Sequence, residues 1–302
     1  MARSEQRRGP MAALGGRQQR SRERVRGLGP WPFRVLIYGF LLVVVTYVLF
    51  PFAWMLSTAL KTEAEALAIP PTWIPGEPTL DGITGIWVRK NFGVYFFNST
   101  VVSLATAVLS VFFGALAGYG FSRFHFPGRQ VLMGFFLATQ MLPGVLLVGP
   151  YFKMLNAVGL YDTRTGLVIA FLTICLPFAT WTMKGFIDGV PPEMDEAALV
   201  DGCSRLGVFL RIILPVLGPG MVATILFAFL LAWGDLLWAL CLTTSENMIT
   251  VTLGIARTVG EFRIIWPMLM AGSLLGGLPA ILLYLFLQRF LVAGLTAGAL
   301  KQ

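Results

Sequence analysis

Pro191 to Pro215 reads PPEMDEAALVDGCSRLGVFLRIILP and lies between two long apolar runs. The stretch carries four carboxylates and two guanidinium groups, on Glu193, Asp195, Glu196, Asp201, Arg205 and Arg211. A single charged side chain costs about 2.5–3.5 kcal/mol at the centre of a bilayer. The stretch must therefore lie in water between two membrane-spanning helices, where a soluble partner can reach it.

The pattern within the stretch predicts two short helices. Pro191 and Pro192 suit a helix start, and Asp195 is a candidate N-cap of the first helix. Gly202 permits a sharp turn, after which Asp201 or Ser204 is a candidate cap of the second helix. The second helix has apolar residues at helical spacing and is predicted to end at Pro215; these residues are Leu206, Phe209, Leu210 and Ile213.

The order of residues in this stretch resembles the EAA loop of the permease subunits of binding-protein-dependent ABC importers. The matching residues are Glu196, Ala197, Ala198, Asp201, Gly202, Phe209, Ile213, Leu214 and Pro215. Cys203 stands where the family usually has alanine, and it is also small. The resemblance implies that residues of this loop couple the chain to a cytoplasmic ATPase; the seven candidates are Glu196, Ala197, Ala198, Asp201, Gly202, Phe209 and Pro215. The alternative is an ordinary amphipathic connecting loop. We call residues 188–216 the coupling segment.

Three further stretches resemble the sugar-permease branch of the same family. They are Phe124–Arg129, Gln140–Pro143 and Gly294–Lys301. The chain is most similar to the smaller permease subunit of maltose and trehalose importers. This resemblance implies three partners: a second, homologous permease subunit, a dimer of cytoplasmic ATP-binding subunits, and an extracytoplasmic sugar-binding protein.

Composition identifies an integral membrane protein. Hydrophobic residues make up 56% and charged residues 13%, with a mean hydropathy of +0.75, against about 45–50% and about 25% in soluble domains. No G-x-x-x-x-G-K-[ST] motif occurs, so we expect no enzymatic ATP hydrolysis by this chain and an energy source on another chain or in an ion gradient. Cys175, Cys203 and Cys241 lie in or beside apolar runs without C-x-x-C spacing, and we expect no cofactor, metal site or disulfide framework.

Apolar runs long enough to cross a bilayer predict an all-α fold with six transmembrane helices. They lie near 33–58, 97–120, 131–150, 166–187, 217–240 and 267–288, and the coupling segment joins the fourth to the fifth. An excess of basic residues on the side of the N-terminus, all of it contributed by the residues up to Arg34, places both termini in the cytoplasm. This predicts a multi-pass protein of the cell (inner) membrane of a bacterium or archaeon.

The chain divides into a basic tail and one permease domain. Residues 1–30 are rich in Arg and Gly and are predicted to be a disordered cytoplasmic tail, whereas residues 31–302 form the six-helix domain. A basic tail is compatible with nucleic acid, but nothing else in the sequence favours that partner. Anionic membrane lipid beside a positive-inside anchor is the interpretation that we carry forward.

Four residues within the predicted spans are candidates for the solute pathway. Gln140 and Asp235 are polar side chains in apolar surroundings, and Trp233 and Trp238 lie near Asp235 in the sequence. Aromatic faces and hydrogen-bonding side chains are the groups that bind sugars. Three-residue spacing places Asp235 and Trp238 on one helix face. The alternative is that both tryptophans belong to an interfacial aromatic belt and that Asp235 pairs with a partner or water there.

Three classes of function remain open from the residues. An ABC importer permease for a maltose- or trehalose-type oligosaccharide leads, with other sugars, polyols and glycerol phosphates as alternative cargo. An ion-coupled secondary transporter would use Asp235 as its proton or sodium site. A purely structural membrane protein would need no exposed docking loop.

Overall fold

A computed structural model describes residues 31–260 and 263–299, with side chains up to Arg289 apart from Pro32. The predicted basic tail and Lys301 lie outside these residues. The described residues are nearly all helical and contain no β-strand, only one isolated bridge between Val259 and Ile264. The all-α prediction is confirmed.

Two compact units divide the chain, one ending at Trp54 and the other beginning at Met55. Helix α1 (Trp31–Ala59) supplies the described part of the first unit and runs into the second. Its residues Phe33–Ala59 are apolar enough to cross a membrane.

The rest of the chain follows in this order: α2 (Glu63–Ala66), α3 (Asp81–Thr84) with a π-helical turn (Gly85–Arg89), α4 (Phe92–Arg123), α5 (Arg129–Ala138) with a 3-10 turn (Thr139–Met141), α6 (Gly144–Ala157), α7 (Arg164–Asp188), α8 (Glu193–Val200), α9 (Arg205–Val208) with a π-helical turn (Phe209–Ile213), α10 (Leu214–Val216), α11 (Gly218–Gly234), α12 (Leu237–Leu242), a 3-10 turn (Glu246–Met248), α13 (Val251–Ala256) and α14 (Trp266–Ala299).

Four of these helices are long and apolar enough to span a membrane, and two bent helix pairs bring the number to as many as six. The four are α1, α4, α7 and α14. The predicted spans 97–120, 166–187 and 267–288 correspond to α4, α7 and α14, each of which extends beyond the prediction at both ends.

The predicted third span, 131–150, is not one continuous helix. Helices α5 and α6 meet at an angle of 100° around Leu142 and Pro143. Proline restricts the preceding residue to extended backbone, and Leu142 has φ −76° and ψ 126°. Hydropathy does not register this break because the residues on both sides of it are apolar.

The predicted fifth span, 217–240, is also interrupted. Helix α11 ends at Gly234, Asp235 is extended, and a separate short helix α12 follows. The other end of α11 lies at an 81° bend from the helical run Arg205–Val216.

Helix α4 is the central element of the second unit. It packs along α7 and α11, and α11 in turn packs against α14. Gly114 and Gly118 allow α4 and α7 to approach closely, because a Cβ at Gly114 would lie 2.7 Å from the Cβ of Ala179 and one at Gly118 would lie 2.8 Å from the amide nitrogen of Lys184. Small residues at such spacing bring backbones together where no hydrophobic effect drives helix association.

Gly114→Ala tests this close packing, with Gly120→Ala as the matched control on the same helix. A Cβ at Gly120 meets no atom within 4 Å, so alanine there should be neutral or stabilise the helix by up to about 1 kcal/mol. At Gly114 we expect a loss of about 1–3 kcal/mol from overpacking. Thermal unfolding of the detergent-solubilised protein measures both. Equal unfolding midpoints for the two variants would contradict the packing account.

Candidate functional site

The two predicted helices of the coupling segment are present as α8 and α9. Gly202 lies between them with φ +87°, a backbone conformation that favours glycine. Ser204 caps α9, since its hydroxyl accepts a hydrogen bond from the backbone N–H of Gly207 at 3.1 Å. Of the two caps proposed for this helix, Ser204 is the one used.

Asp195 is not the N-cap of α8, which was the prediction. The helix begins at Glu193, and Asp195 lies in its first turn with its side chain directed into the protein. The hydroxyl of Tyr119 donates to Asp195 Oδ2 at 2.9 Å, and Arg123 Nε donates to the same oxygen at 3.1 Å. Side chains from another helix outcompete the local backbone for this carboxylate.

The second helix was predicted to end at Pro215, and the helical run ends one residue later, at Val216. The helical path continues through a π-helical turn into α10, and the bend follows at Leu217. Proline has no N–H to bond the carbonyl four residues earlier, that of Arg211, and such gaps in the ladder accompany widened turns. Pro215 thus lies just after a distortion of the helix and before its break.

The seven predicted coupling residues divide into an exposed and a buried set. Glu196, Ala197, Asp201, Gly202 and Pro215 are exposed. Ala198 is 4% exposed and Phe209 is 1% exposed. The coupling segment also exposes the apolar side chains of Val200, Leu206 and Leu210.

The buried set attaches the coupling segment to the helix bundle. Ala198 and Phe209 share a hydrophobic cluster with residues of α4 and α7, including Ala115, Tyr119, Met183 and Ile187. The Phe209 and Tyr119 ring centroids are 5.3 Å apart. Burying a phenylalanine side chain contributes about 1.5–3 kcal/mol, so this contact is a substantial anchor.

Polar contacts from the end of α4 reinforce this attachment. Arg123 Nη2 donates to the Val190 carbonyl at 2.8 Å, and Ser122 Oγ donates to Asp188 Oδ1 at 2.6 Å. Asp188 also pairs with Lys184 one turn earlier on α7. The Arg205 guanidinium carbon lies 5.3 Å from the Phe124 ring centroid, within the range of a cation–π interaction.

Sequence reasoning had not assigned these roles to Tyr119, Ser122 and Arg123. The available signal was the position of Arg123 at the end of an apolar run, at the same side of the membrane as an acidic loop.

Of the predicted pathway residues, the two tryptophans are packing residues. Trp233 is 5% exposed; its ring stacks on Phe229 and its indole N–H donates to the Gly276 carbonyl at 2.9 Å. Trp238 is 4% exposed and packs edge-on against Tyr151.

Asp235 and Trp238 do not lie on one helix face, because α11 ends before Asp235 and α12 begins after it. Asp235 is half-buried at this break, where its Oδ1 accepts from the backbone N–H of Trp238 at 2.8 Å. The carboxylate thus acts as a helix cap for α12. Gln140 is exposed, and its side-chain amide donates to the carbonyl of Ile174 in α7 at 2.9 Å.

A groove of about 700 Å³ lies where α4, α5 and α7 come together near the coupling segment. Its wall is largely apolar but includes charged side chains; the lining residues are Phe121, Arg129, Gln130, Met133, Gly134, Leu137, Trp181, Thr182, Lys184, Gly185, Phe186 and Asp188. None of the four predicted pathway residues lines it.

At the opposite end of α7, Asp162 connects the loop before this helix to the loop that contains Thr244 and Ser245. Its backbone is left-handed, with φ +57°. Its carboxylate accepts hydrogen bonds from the backbone N–H of Thr244 at 2.8 Å and from the backbone N–H and hydroxyl of Ser245. Partial burial raises the pKa of Asp162, but the hydrogen bonds from Ser245 and Thr244 outweigh it and leave the pKa below its ordinary value of 3.8.

The sequence of the chain was compared with those of known protein families and of individual proteins. The profile of the family "binding-protein-dependent transport system inner membrane component" matches residues 110–297. The inner membrane ABC transporter permease protein YcjP of Escherichia coli is 37% identical over 270 residues, which cover 89% of this chain and 96% of that protein. The trehalose transport system permease protein SugB of Mycobacterium tuberculosis is 36% identical over 86% of this chain and 94% of its own.

Solved structures show the same fold. A bacterial ABC transporter involved in the import of the acidic polysaccharide alginate contains a chain that superposes with a TM-score of 0.73 at 20% identity, covering 85% of this chain and 95% of that one. A related structure of an alginate transporter, in complex with an alginate-bound periplasmic protein, superposes with a TM-score of 0.60 at 16% identity and covers 84% and 93%.

Asp162→Asn tests the joined loops, since asparagine tolerates the left-handed backbone but lacks the charge. We expect hydrogen exchange in residues 158–163 and 243–250 to accelerate about five- to tenfold, because charge-assisted hydrogen bonds are stronger than neutral ones. A lowered pKa stabilises the folded state above the unfolded carboxyl's pKa of about 3.9, and the effect is lost as pH falls through the folded value. Wild-type protein should therefore exchange faster only below about pH 4, after correction for intrinsic rates.

The variant itself should show no such additional pH step. Exchange in the variant that matches the wild-type rate at pH 6 would contradict the role of the carboxylate.

Proposed function

Since the chain belongs to the family of inner membrane components of binding-protein-dependent transport systems, the permeases of ABC importers, we propose that it forms half of the translocation pathway for an oligosaccharide. The proposed cargo is a maltose- or trehalose-type sugar. Relatives named for trehalose, for trehalose/maltose and for diacetylchitobiose support a di- or oligosaccharide. A relative named for sulfoquinovosyl glycerol shows that cargo differs between such permeases.

The proposed topology has six spans with both termini in the cytoplasm. Helices α5 and α6 together form the third span, and α11 forms the fifth. Helix α11 has 17 residues, at the lower limit of the length that crosses a bilayer. The run Arg205–Val216, bent 81° away from α11 and carrying two arginines, then lies at the membrane surface.

The proposed partners are a second permease subunit, a dimer of ATP-binding subunits and an extracytoplasmic sugar-binding protein. The observation that carries the proposal is the two-sided coupling segment. Its exposed side presents Glu196, Ala197, Asp201 and Gly202, and its buried side is fixed to α4 and α7. A surface of this kind fits the cytoplasmic ATPase, because it is attached to the helix bundle and offers both apolar area and charged side chains to a partner.

Among the pathway candidates, Gln140 and Asp235 are the two that we retain. Both are polar groups in interrupted helices, the arrangement that lines aqueous cavities within membranes. Trp233 and Trp238 fill the packed core and are not proposed to touch the sugar.

Gly202→Val tests the docking proposal, with Gly202→Asn as its matched control. No atom lies within 4 Å of a Cβ at Gly202, so only the backbone conformation opposes substitution. Valine at positive φ costs about 1–3 kcal/mol, whereas asparagine tolerates this region. Co-purification with a tagged permease should show loss of the ATPase for valine and retention for asparagine, with equal permease abundance in the membrane. Full retention in both variants would contradict docking at this turn.

Charge reversal at Glu196 probes the same surface without changing the backbone. Glu196→Lys should lower ATPase co-purification and [14C]trehalose uptake about tenfold or more, because an unlike pair across the interface becomes a like one. The control Lys90→Glu reverses a charge in the loop at the other end of α4. It should leave ATPase binding unchanged. Reduced permease abundance in Glu196→Lys alone would indicate a folding role instead.

The pathway proposal is tested by cysteine substitution at Gln140 and Asp235 in a chain from which Cys175, Cys203 and Cys241 have been removed. We expect a membrane-impermeant thiol reagent to modify both positions and a saturating concentration of trehalose with the binding protein to slow the reaction. Modification of neither position, or modification that sugar does not affect, would contradict their place in the pathway.

A further inference from the structure

Tyr119 and Arg123, one turn apart at the end of α4, hold both helices of the coupling segment. Tyr119 donates to Asp195 on α8 and packs on Phe209 after α9. Arg123 pairs with Asp195 and also donates to the Val190 carbonyl before α8. The side chains of Arg123 and Asp195 are 11% and 10% exposed, so this ion pair is shielded from water and salt.

Helix α8 therefore has two opposed functions in adjacent residues. Asp195 is directed towards α4, while Glu196 and Ala197 are directed outwards. A helix of eight residues is short enough to move as one body. A push on Glu196 or Ala197 must then reach Asp195, and through it the end of α4.

Helix α4 carries that displacement across the molecule. It has 32 residues and is about 48 Å long. Near its other end, the side-chain nitrogen Nδ2 of Asn98 donates to the carbonyls of Asn247 and Ile249, both at 2.8 Å. The side-chain oxygen Oδ1 of Asn98 accepts a hydrogen bond from Arg164 Nε at 2.7 Å. One rigid element thus connects the coupling segment to the loops at the opposite end.

We propose that Arg123 and Tyr119 are positioning residues that transmit movement of the coupling segment to α4, and through α4 to the opposite face of the permease. The inference rests on the proposed function, because it takes the exposed side of the coupling segment as the place where the ATPase acts. It adds two residues outside the coupling motif: Tyr119, which is buried, and Arg123, whose side chain is 11% exposed.

The chemistry of the pair explains why it transmits movement and does not only stabilise the fold. Arg123 uses two nitrogens for two acceptors, so it fixes the direction as well as the distance between α4 and α8. A lysine ammonium keeps the charge but presents no rigid fork. Methionine fills a volume similar to that of lysine but has neither the positive charge nor the forked hydrogen-bonding geometry of arginine. The three side chains therefore form a graded series at one position.

The experiment uses the transporter assembled with its ATPase in lipid nanodiscs. A reporter thiol is introduced as Gly93→Cys at the start of α4, where a Cβ meets no atom within 4 Å, in a background lacking the three native cysteines. A fluorophore on this thiol reports the ATP-dependent change at the far end of α4. Arg123→Lys and Arg123→Met are compared with Arg263→Met, which breaks an ion pair whose arginine is 71% exposed.

We expect all variants to retain the ATPase. The ATP-dependent signal should fall by at least about fivefold in Arg123→Met and less in Arg123→Lys, because a buried pair that loses its partner is disrupted more than an exposed one. Arg263→Met should give the wild-type signal. Tyr119→Phe retains the packing on Phe209 but lacks the hydroxyl. Its ATP-dependent signal should be larger than that of Arg123→Lys and smaller than that of Arg263→Met.

Other results would contradict either transmission through α4 or the proposed function. A wild-type signal in Arg123→Met, or a wild-type transporter with no ATP-dependent signal at Gly93→Cys, would overturn transmission through α4. Loss of the ATPase from Arg123→Met would assign Arg123 to seating the docking surface and would also overturn the proposal. Failure of the ATPase to co-purify with the wild-type chain would overturn the proposed function itself.

Discussion

The exclusion of charge from hydrocarbon is the constraint on which the arrangement of this protein depends. Four carboxylates and two guanidinium groups within residues 191–215 cannot lie among lipid tails, so the chain must place them at an end of the bundle. An exposed loop with few contacts would satisfy that constraint but would move freely. The protein instead buries one of the carboxylates, Asp195, against Arg123 and Tyr119. The same segment is thereby water-exposed on one side and fixed to the bundle on the other.

This fixation depends on helices that are themselves closely packed. Gly114 and Gly118 bring α4 against α7, and Asp188 at the end of α7 accepts from Ser122 on α4. The ends of the two helices therefore present a single surface to the coupling segment. Ala198 and Phe209 pack against this surface and are buried there. These two positions of the motif therefore serve packing and are not available to a partner.

The long helices and the local turn and cap chemistry could be predicted from the sequence, whereas the helix breaks and the long-range side-chain contacts could not. Hydropathy located the helices α1, α4, α7 and α14, because burial in lipid demands long apolar runs. The turn at Gly202 was predicted from local chemistry alone, and Ser204 was one of two caps predicted for the second helix. The break at Pro143 and the gap at Asp235 were missed, since both lie within apolar sequence where composition does not change. The roles of Asp195 and Trp233 depend on residues that are distant in sequence, Tyr119 and Gly276, and no local pattern contains that information.

The central claim is that the exposed side of the coupling segment faces a cytoplasmic ATPase. A photo-crosslinking amino acid at position 197 in membranes of cells that express the whole transporter tests this directly, with position 69 as the matched exposed position in the loop before α3. The account predicts that irradiation joins the ATPase to the permease from position 197 and not from position 69. Capture of the ATPase from position 69, or no capture from position 197 while the intact complex is present, would contradict it.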